Sequence, residues 1–280
     1  MDDGISLRLI ERLEEVSGAY GAILCDIWGV VHNGITASQD AARALAGARR
    51  RGLKVALLTN SPRLASGVER QLESLGVPQD AYDAIITSGD VTRQLIAEGS
   101  RRVLHIGPER DLEIFGGLDV ERVAEEDAEV IIATGLFDDE TETPEDYADQ
   151  LRRLAVRDLP MVCANPDIVV HRGDRLLFCA GALARDYEAL GGSVRLAGKP
   201  YRPIYELAVR TAGIVAGTPI LAIGDGMPTD IRGANNFGVD ALFITGGIHS
   251  ADFEGGDAAA VAAGLAANGL SARYAMPALA

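Results

Sequence analysis

The chain has 280 residues, 48% of them apolar, and a formal net charge of −15. That size admits one large domain or two ordinary ones around a substantial core, and the charge argues against nucleic acid or an anionic membrane as the main partner. No uninterrupted apolar run approaches the roughly 18–20 residues that a membrane span needs, and the start Met1-Asp2-Asp3-Gly4 lacks the basic and apolar regions of a signal peptide, so a cytoplasmic protein is expected.

Ile5, Leu9, Leu13 and Val16 recur at near-helical spacing and predict an amphipathic helix over 5–16, stopped by Gly18. Residues 20–24 then read as a short buried strand, and Asp26 follows at its carboxyl end, the edge where open α/β sheets bind ligands. Ser38 predicts the cap of a helix that runs to Gly52. A strand over 53–58 leads into Thr59-Asn60-Ser61-Pro62, and Leu64, Val68, Leu72 and Leu75 mark the next helix, ended by Gly76. Residues 84–87 form another short strand, and Ser88 begins the helix that follows.

The middle is less regular, with strands predicted at 102–106, 128–134 and 160–164. The acidic stretch 138–146 leads a helix with Pro144 in its first turn, which suits both the proline and the helix dipole. Residues 169–178 read as a hairpin turning at Gly173. Strands at 219–223 and 241–245, a helix from Asp230 and a late helix over 257–267 complete the chain. Strand–helix alternation of this kind predicts an α/β fold with a doubly wound parallel sheet. Cys25, Cys163 and Cys179 sit in apolar stretches without CxxC spacing, so buried thiols in a reducing compartment are expected.

Gly198-Lys199 does not belong to a P-loop, because the positions that motif reserves for Gly and Ser/Thr hold Ser193 and Pro200. The four histidines, His32, His105, His171 and His249, are scattered and predict no metal triad. Four strand-end clusters remain. Asp26 ends one strand, and Thr59-Asn60-Ser61 offers a hydroxyl and backbone N–H groups after another. Lys199 follows a short strand, and Asp225 and Asp230 lie five residues apart in Gly224-Asp225-Gly226-Met227-Pro228-Thr229-Asp230. Carboxylates at one edge can hold Mg²⁺ through hard oxygen donors, while a lysine and N–H groups hold phosphoryl oxygens. Metal-assisted phosphoryl transfer needs these parts.

The order and wording of these clusters resemble the haloacid dehalogenase-like (HAD) superfamily, and class IIA within it. The resemblance implies a Rossmann-like core at 1–88 and 196–280 with an inserted α/β cap at 89–195. It implies Asp26 as the nucleophile that becomes an aspartyl phosphate, Thr59 and Asn60 as holders of the phosphoryl group, and Lys199 as its counter-charge. Asp26, Asp225 and the backbone carbonyl of Trp28 would bind Mg²⁺, and Asp230 would steady Lys199 or a metal-bound water. The expected substrate is a small phosphorylated metabolite, and a homodimer is compatible with the resemblance.

Trp28 departs from the pattern, since the superfamily's phosphatases carry Asp two residues after the nucleophile as general acid and base. An indole N–H cannot replace a carboxyl in that role, and His32 and Asp167 are the first two stand-ins to consider. A Mg²⁺-dependent phosphatase leads the readings. A phosphate-ligand-binding or regulatory protein with a degraded site is the alternative, and a dehalogenase ranks last because Asp225 would serve no metal-free displacement.

Overall fold

The computed structural model describes residues 7–172, 175–247, 253 and 256–280. Among these the strands run, in chain order, β1 Arg8–Leu9, β2 Ala22–Asp26, β3 Lys54–Thr59, β4 Ala84–Thr87, β5 Arg102–Ile106, β6 Glu121–Arg122, β7 Val130–Ala133, β8 Met161–Cys163, β9 Val169–Arg172, β10 Arg175–Phe178, β11 Val194–Leu196, β12 Ile220–Gly224, β13 Asp240–Ile244 and β14 Tyr274–Met276. Contacts divide the chain into two units, one of Met1–Thr59, Glu69–Ile86 and Tyr205–Ala280, the other of Asn60–Val68 and Thr87–Ile204. The longer stretch of the second unit, Thr87–Ile204, contains the span 89–195. The second unit also takes in Asn60 and Ser61, whose carbonyls receive the Ser88 hydroxyl.

The first unit is the α/β fold that strand–helix alternation predicts. Its seven-stranded sheet has the order β1-β14-β13-β12-β2-β3-β4, and the ladders from β1 through β3 are parallel. Every residue of β2 is buried and all but the last, Asp26, are apolar, the pattern of a central strand covered on both faces. Ser38 caps the helix Gln39–Arg50 by accepting from the Ala41 N–H at 3.2 Å. Ala222 and Phe243 pack with Val261 and Leu265 of the helix Ala258–Ala267.

One local expectation fails in this unit, and one helix is found with a different start. Instead of a helix over 5–16, Arg8 and Leu9 form β1, and among the described residues of this segment only Glu14–Ser17 is helical. Backbone bonds from Arg8 to Arg273 and from Ile10 to Ala275, each 3.0 Å, draw this segment onto β14, and Leu9 stays 45% exposed where a helix would bury it. Tertiary pairing overrides the periodicity. The helix expected from Asp230 begins as a π-turn, Met227–Ile231, before Arg232–Phe237.

The second unit carries a five-stranded parallel sheet of order β11-β8-β7-β5-β6. Leu104, Ile131, Leu151, Leu183 and Tyr187 fill its core, and the Tyr187 hydroxyl finds the Leu159 carbonyl at 2.6 Å. Strands β9 and β10 pair antiparallel as the hairpin predicts. Ile5, the turn residue Gly173 and His249 lie outside the described residues. All three cysteines are buried and unbridged, and among the described residues no helix is long and apolar enough to cross a membrane.

Candidate active site

Parallel strands of matched register deliver their last residues side by side. Cys25 on β2 pairs with Ile223 on β12, and Asp26 pairs with Leu58 on β3. Asp26 ends β2, Thr59 ends β3 and Asp225 follows β12 directly, so three polar groups share one carboxyl edge. The π-turn after β12 brings Asp230 back to the same place. Its carboxylate accepts from the Gly226 N–H at 3.0 Å, and its own N–H bonds the Gly226 carbonyl at 2.8 Å. Asp26, Asp225 and Asp230 are each at most 6% exposed, and one carboxylate oxygen of each lies within 4.8 Å of the others.

Three carboxylates this close repel by about 3–4 kcal/mol per pair at an effective dielectric of ~20. Such a set could hold a cation. The donors are hard oxygens, which suit Mg²⁺ or Ca²⁺. The backbone around Asp225 fits the same purpose, because a Cβ added at Gly29 or at Gly247 would overlap its carboxylate. Gly29 also has φ +87°, a conformation L side chains rarely adopt. These residues fit a divalent ion.

Trp28 is built into the loop after β2. Its ring lies 2.7 Å from where a Cβ would stand on Gly34 and meets His32 edge-on, with centroids 5.0 Å apart. The loop is closed by a bond from the Gly29 N–H to the His32 carbonyl at 2.8 Å. His32 itself is a poor stand-in for a missing acid. Burial pushes its pKa down to about 4, and its Nδ1 accepts from the Gly34 N–H at 2.9 Å, so near pH 7 the ring is neutral.

Lys199 and Asn60 belong to the second unit and are each 4% exposed. The Asn60 carboxamide, expected at a phosphoryl group, is engaged by protein. Its oxygen accepts from the Lys199 N–H at 2.7 Å, and its nitrogen donates to Asp167 Oδ1 at 2.9 Å and to the Lys199 carbonyl at 3.2 Å. Asp167, the second stand-in acid, is therefore tied to Asn60. Sequence spacing carries no trace of these bonds, which join residues more than a hundred positions apart.

Fold and site together define an enzyme built on a parallel sheet with an acidic strand edge. Residues 23–121 match the family model described as haloacid dehalogenase-like hydrolase, and residues 196–268 match a HAD-hydrolase-like model. The structure is similar to that of a haloacid dehalogenase-like family hydrolase from Brucella suis 1330, at TM-score 0.87 and 51% identity over 97% of this chain and 100% of that one. The chain belongs to the haloacid dehalogenase-like hydrolase family. It is 29% identical over 247 residues to D-glycerol 3-phosphate phosphatase of Mycobacterium tuberculosis, covering 85% of this chain and 67% of that protein. Its fold is also that of the p-nitrophenyl phosphatase from Archaeoglobus fulgidus, at TM-score 0.74 and 19% identity over 92% of this chain and 96% of that one, as the class IIA resemblance implies.

Proposed function

We propose that this chain is a Mg²⁺-dependent phosphatase of a small phosphorylated metabolite, working through an aspartyl phosphate on Asp26. The convergence of Asp26, Asp225 and Asp230 within 4.8 Å carries the reading. Asp26, Asp225 and the Trp28 carbonyl are the proposed ligands, with Asp230 beside them. A divalent ion held there would offset the negative charge of both carboxylate and phosphate ester.

In this reading the Asp26 carboxylate attacks phosphorus, the ester oxygen leaves, and water then cleaves the acyl phosphate. The Thr59 hydroxyl and the N–H groups that follow it bind phosphoryl oxygens, and Lys199 balances their charge. Trp28 restricts the substrate. Its indole donates a hydrogen bond but carries no acidic proton near pH 7, so the leaving group must depart as an anion. Aryl and acyl phosphates meet that demand, and alkyl phosphates meet it poorly. We place the enzyme in the cytoplasm, in keeping with its three unbridged thiols, and expect a homodimer on sizing columns.

The test is release of phosphate from p-nitrophenyl phosphate, acetyl phosphate and glycerol 3-phosphate, with Mg²⁺ and with EDTA. Mg²⁺-dependent release from the first two supports the reading. Release from none of them, or release unaffected by EDTA, overturns it.

A further inference from the structure

Four separate stretches meet at Asn60: its own loop after β3, the start of the helix Ser88–Ala97, the segment after β8, and the loop that carries Lys199. The Ser88 hydroxyl lies within hydrogen-bond distance of the Asn60, Ser61 and Ala164 carbonyls. The Asn60 side chain reaches the Lys199 peptide on both sides, taking its N–H and donating to its carbonyl. Gly198 makes room for that contact, because at φ +100° a Cβ there would stand 2.5 Å from Asn60 Oδ1.

A carboxamide can turn over and exchange oxygen for nitrogen, so its direction has to be set by its partners. Asp167 sets it. A carboxylate accepts and does not donate, so the Asn60 nitrogen must face Asp167, which leaves the oxygen to face the Lys199 N–H. Both amide hydrogens are then used within the protein.

We propose that Asn60 is a positioning residue for Lys199, oriented by Asp167, and that its side chain acts on the reaction by fixing the lysine's main chain. This rests on the phosphatase reading, in which Lys199 faces the phosphoryl charge. A buried cation that must meet a small dianion tolerates little displacement, and a shift of about 1 Å in such a group can cost about 10²-fold in rate.

The experiment combines hydrogen exchange at the Lys199 amide with hydrolysis of p-nitrophenyl phosphate. Asn60→Asp keeps the size and the acceptor for the Lys199 N–H but sets two carboxylates against each other. It should speed Lys199 exchange and lower kcat/KM by about 10²-fold. Adding Asp167→Asn returns a donor to the Asp167 side of the 2.9 Å bond, and both readouts should recover in part, since the bond to the Lys199 carbonyl stays broken. Wild-type turnover in Asn60→Asp overturns the proposal. So does a loss that Asp167→Asn fails to relieve while Lys199 exchange is unchanged, which would make the Asn60 side chain a direct phosphoryl ligand. Should Asn60→Asp not fold, Asp167→Ala alone decides: faster Lys199 exchange supports the clamp, and unchanged exchange overturns it. A wild-type protein that cleaves no phosphate ester defeats the phosphatase reading, while Lys199 exchange still judges the clamp.

Discussion

Gly29→Ala should disable the acidic edge while leaving the sheet that carries it standing. Two costs add at this position. Holding alanine at φ +87° costs about 1–2 kcal/mol, which lowers Tm by about 2–4 °C for each kcal/mol in a chain of this size. The new methyl group would also overlap the Asp225 carboxylate and push it away. Gly52→Ala isolates the first cost, since Gly52 has φ +95° and nothing within 4 Å of an added Cβ. Mg²⁺ at about 100 times its Kd should stabilise the wild type by about 2.7 kcal/mol. Displacing Asp225, a proposed ligand, should weaken binding by at least about 10²-fold, the upper end of what losing even an outer partner of a metal site costs, and would leave less than about 1 kcal/mol of that stabilisation. Thermal unfolding with Mg²⁺ and with EDTA reads the difference. Gly52→Ala should keep the full Mg²⁺ shift at a lower baseline, and Gly29→Ala should lose most of it. An undiminished Mg²⁺ shift in Gly29→Ala would refute the placement of the ion beside Asp225.

Asp26→Asn keeps the shape of the side chain and removes the anionic nucleophile, so turnover should vanish with circular dichroism unchanged; retained turnover would reassign the nucleophile. Trp28→Asp should speed glycerol 3-phosphate hydrolysis by about 10²-fold, within the usual range for general acid–base catalysis, measured as phosphate release. His105 gives a pH signature. Burial, aided by Arg122, holds it at about 4 against roughly 6.5 in an unfolded chain. Below pH 6.5 the unfolded chain takes up a proton that the folded one refuses, so this histidine's contribution is intact above 6.5 and is lost as pH falls toward 4. Between pH 7 and 5 it should account for about 2 kcal/mol of lost stability, and urea unfolding of His105→Gln should show a correspondingly shallower decline.

Much of the first unit was legible because its signals are local. β2 and β3 are short, mostly apolar runs that end on Asp26 and Thr59, and β12 is followed at once by Asp225, residues whose chemistry has no place inside a core. Elements that borrow their stability from afar were not legible. β1 is two residues long and exists because β14 lies beside it, and β14 is itself only three residues. The helix Arg202–Thr211 did carry signals, with Pro203 in its first turn and Ile204, Tyr205 and Ala208 buried at helical spacing. The task assigned to the Asn60 carboxamide was hidden for a different reason. Its side chain suits a phosphate and a peptide equally well, and only the arrival of Lys199 and Asp167 decides between them.

The register of β2 against β12 has a consequence for how the chain is made. Ala22 pairs with Ile220, so a strand with every residue buried waits nearly 200 residues for the neighbour that covers one of its edges. At about 5–20 residues per second of synthesis, that wait lasts roughly 10–40 s. Throughout it β2 can pair with β3 alone, leaving an apolar, unprotected edge of the kind that templates aggregation. Asp225 and Asp230 leave the ribosome just behind β12, so two carboxylates of the acidic set are missing for as long as that edge is bare. A nascent chain that has shielded its hydrophobic strand is therefore also the first one able to gather an ion, and the onset of metal-dependent stabilisation during translation would time the closing of the sheet.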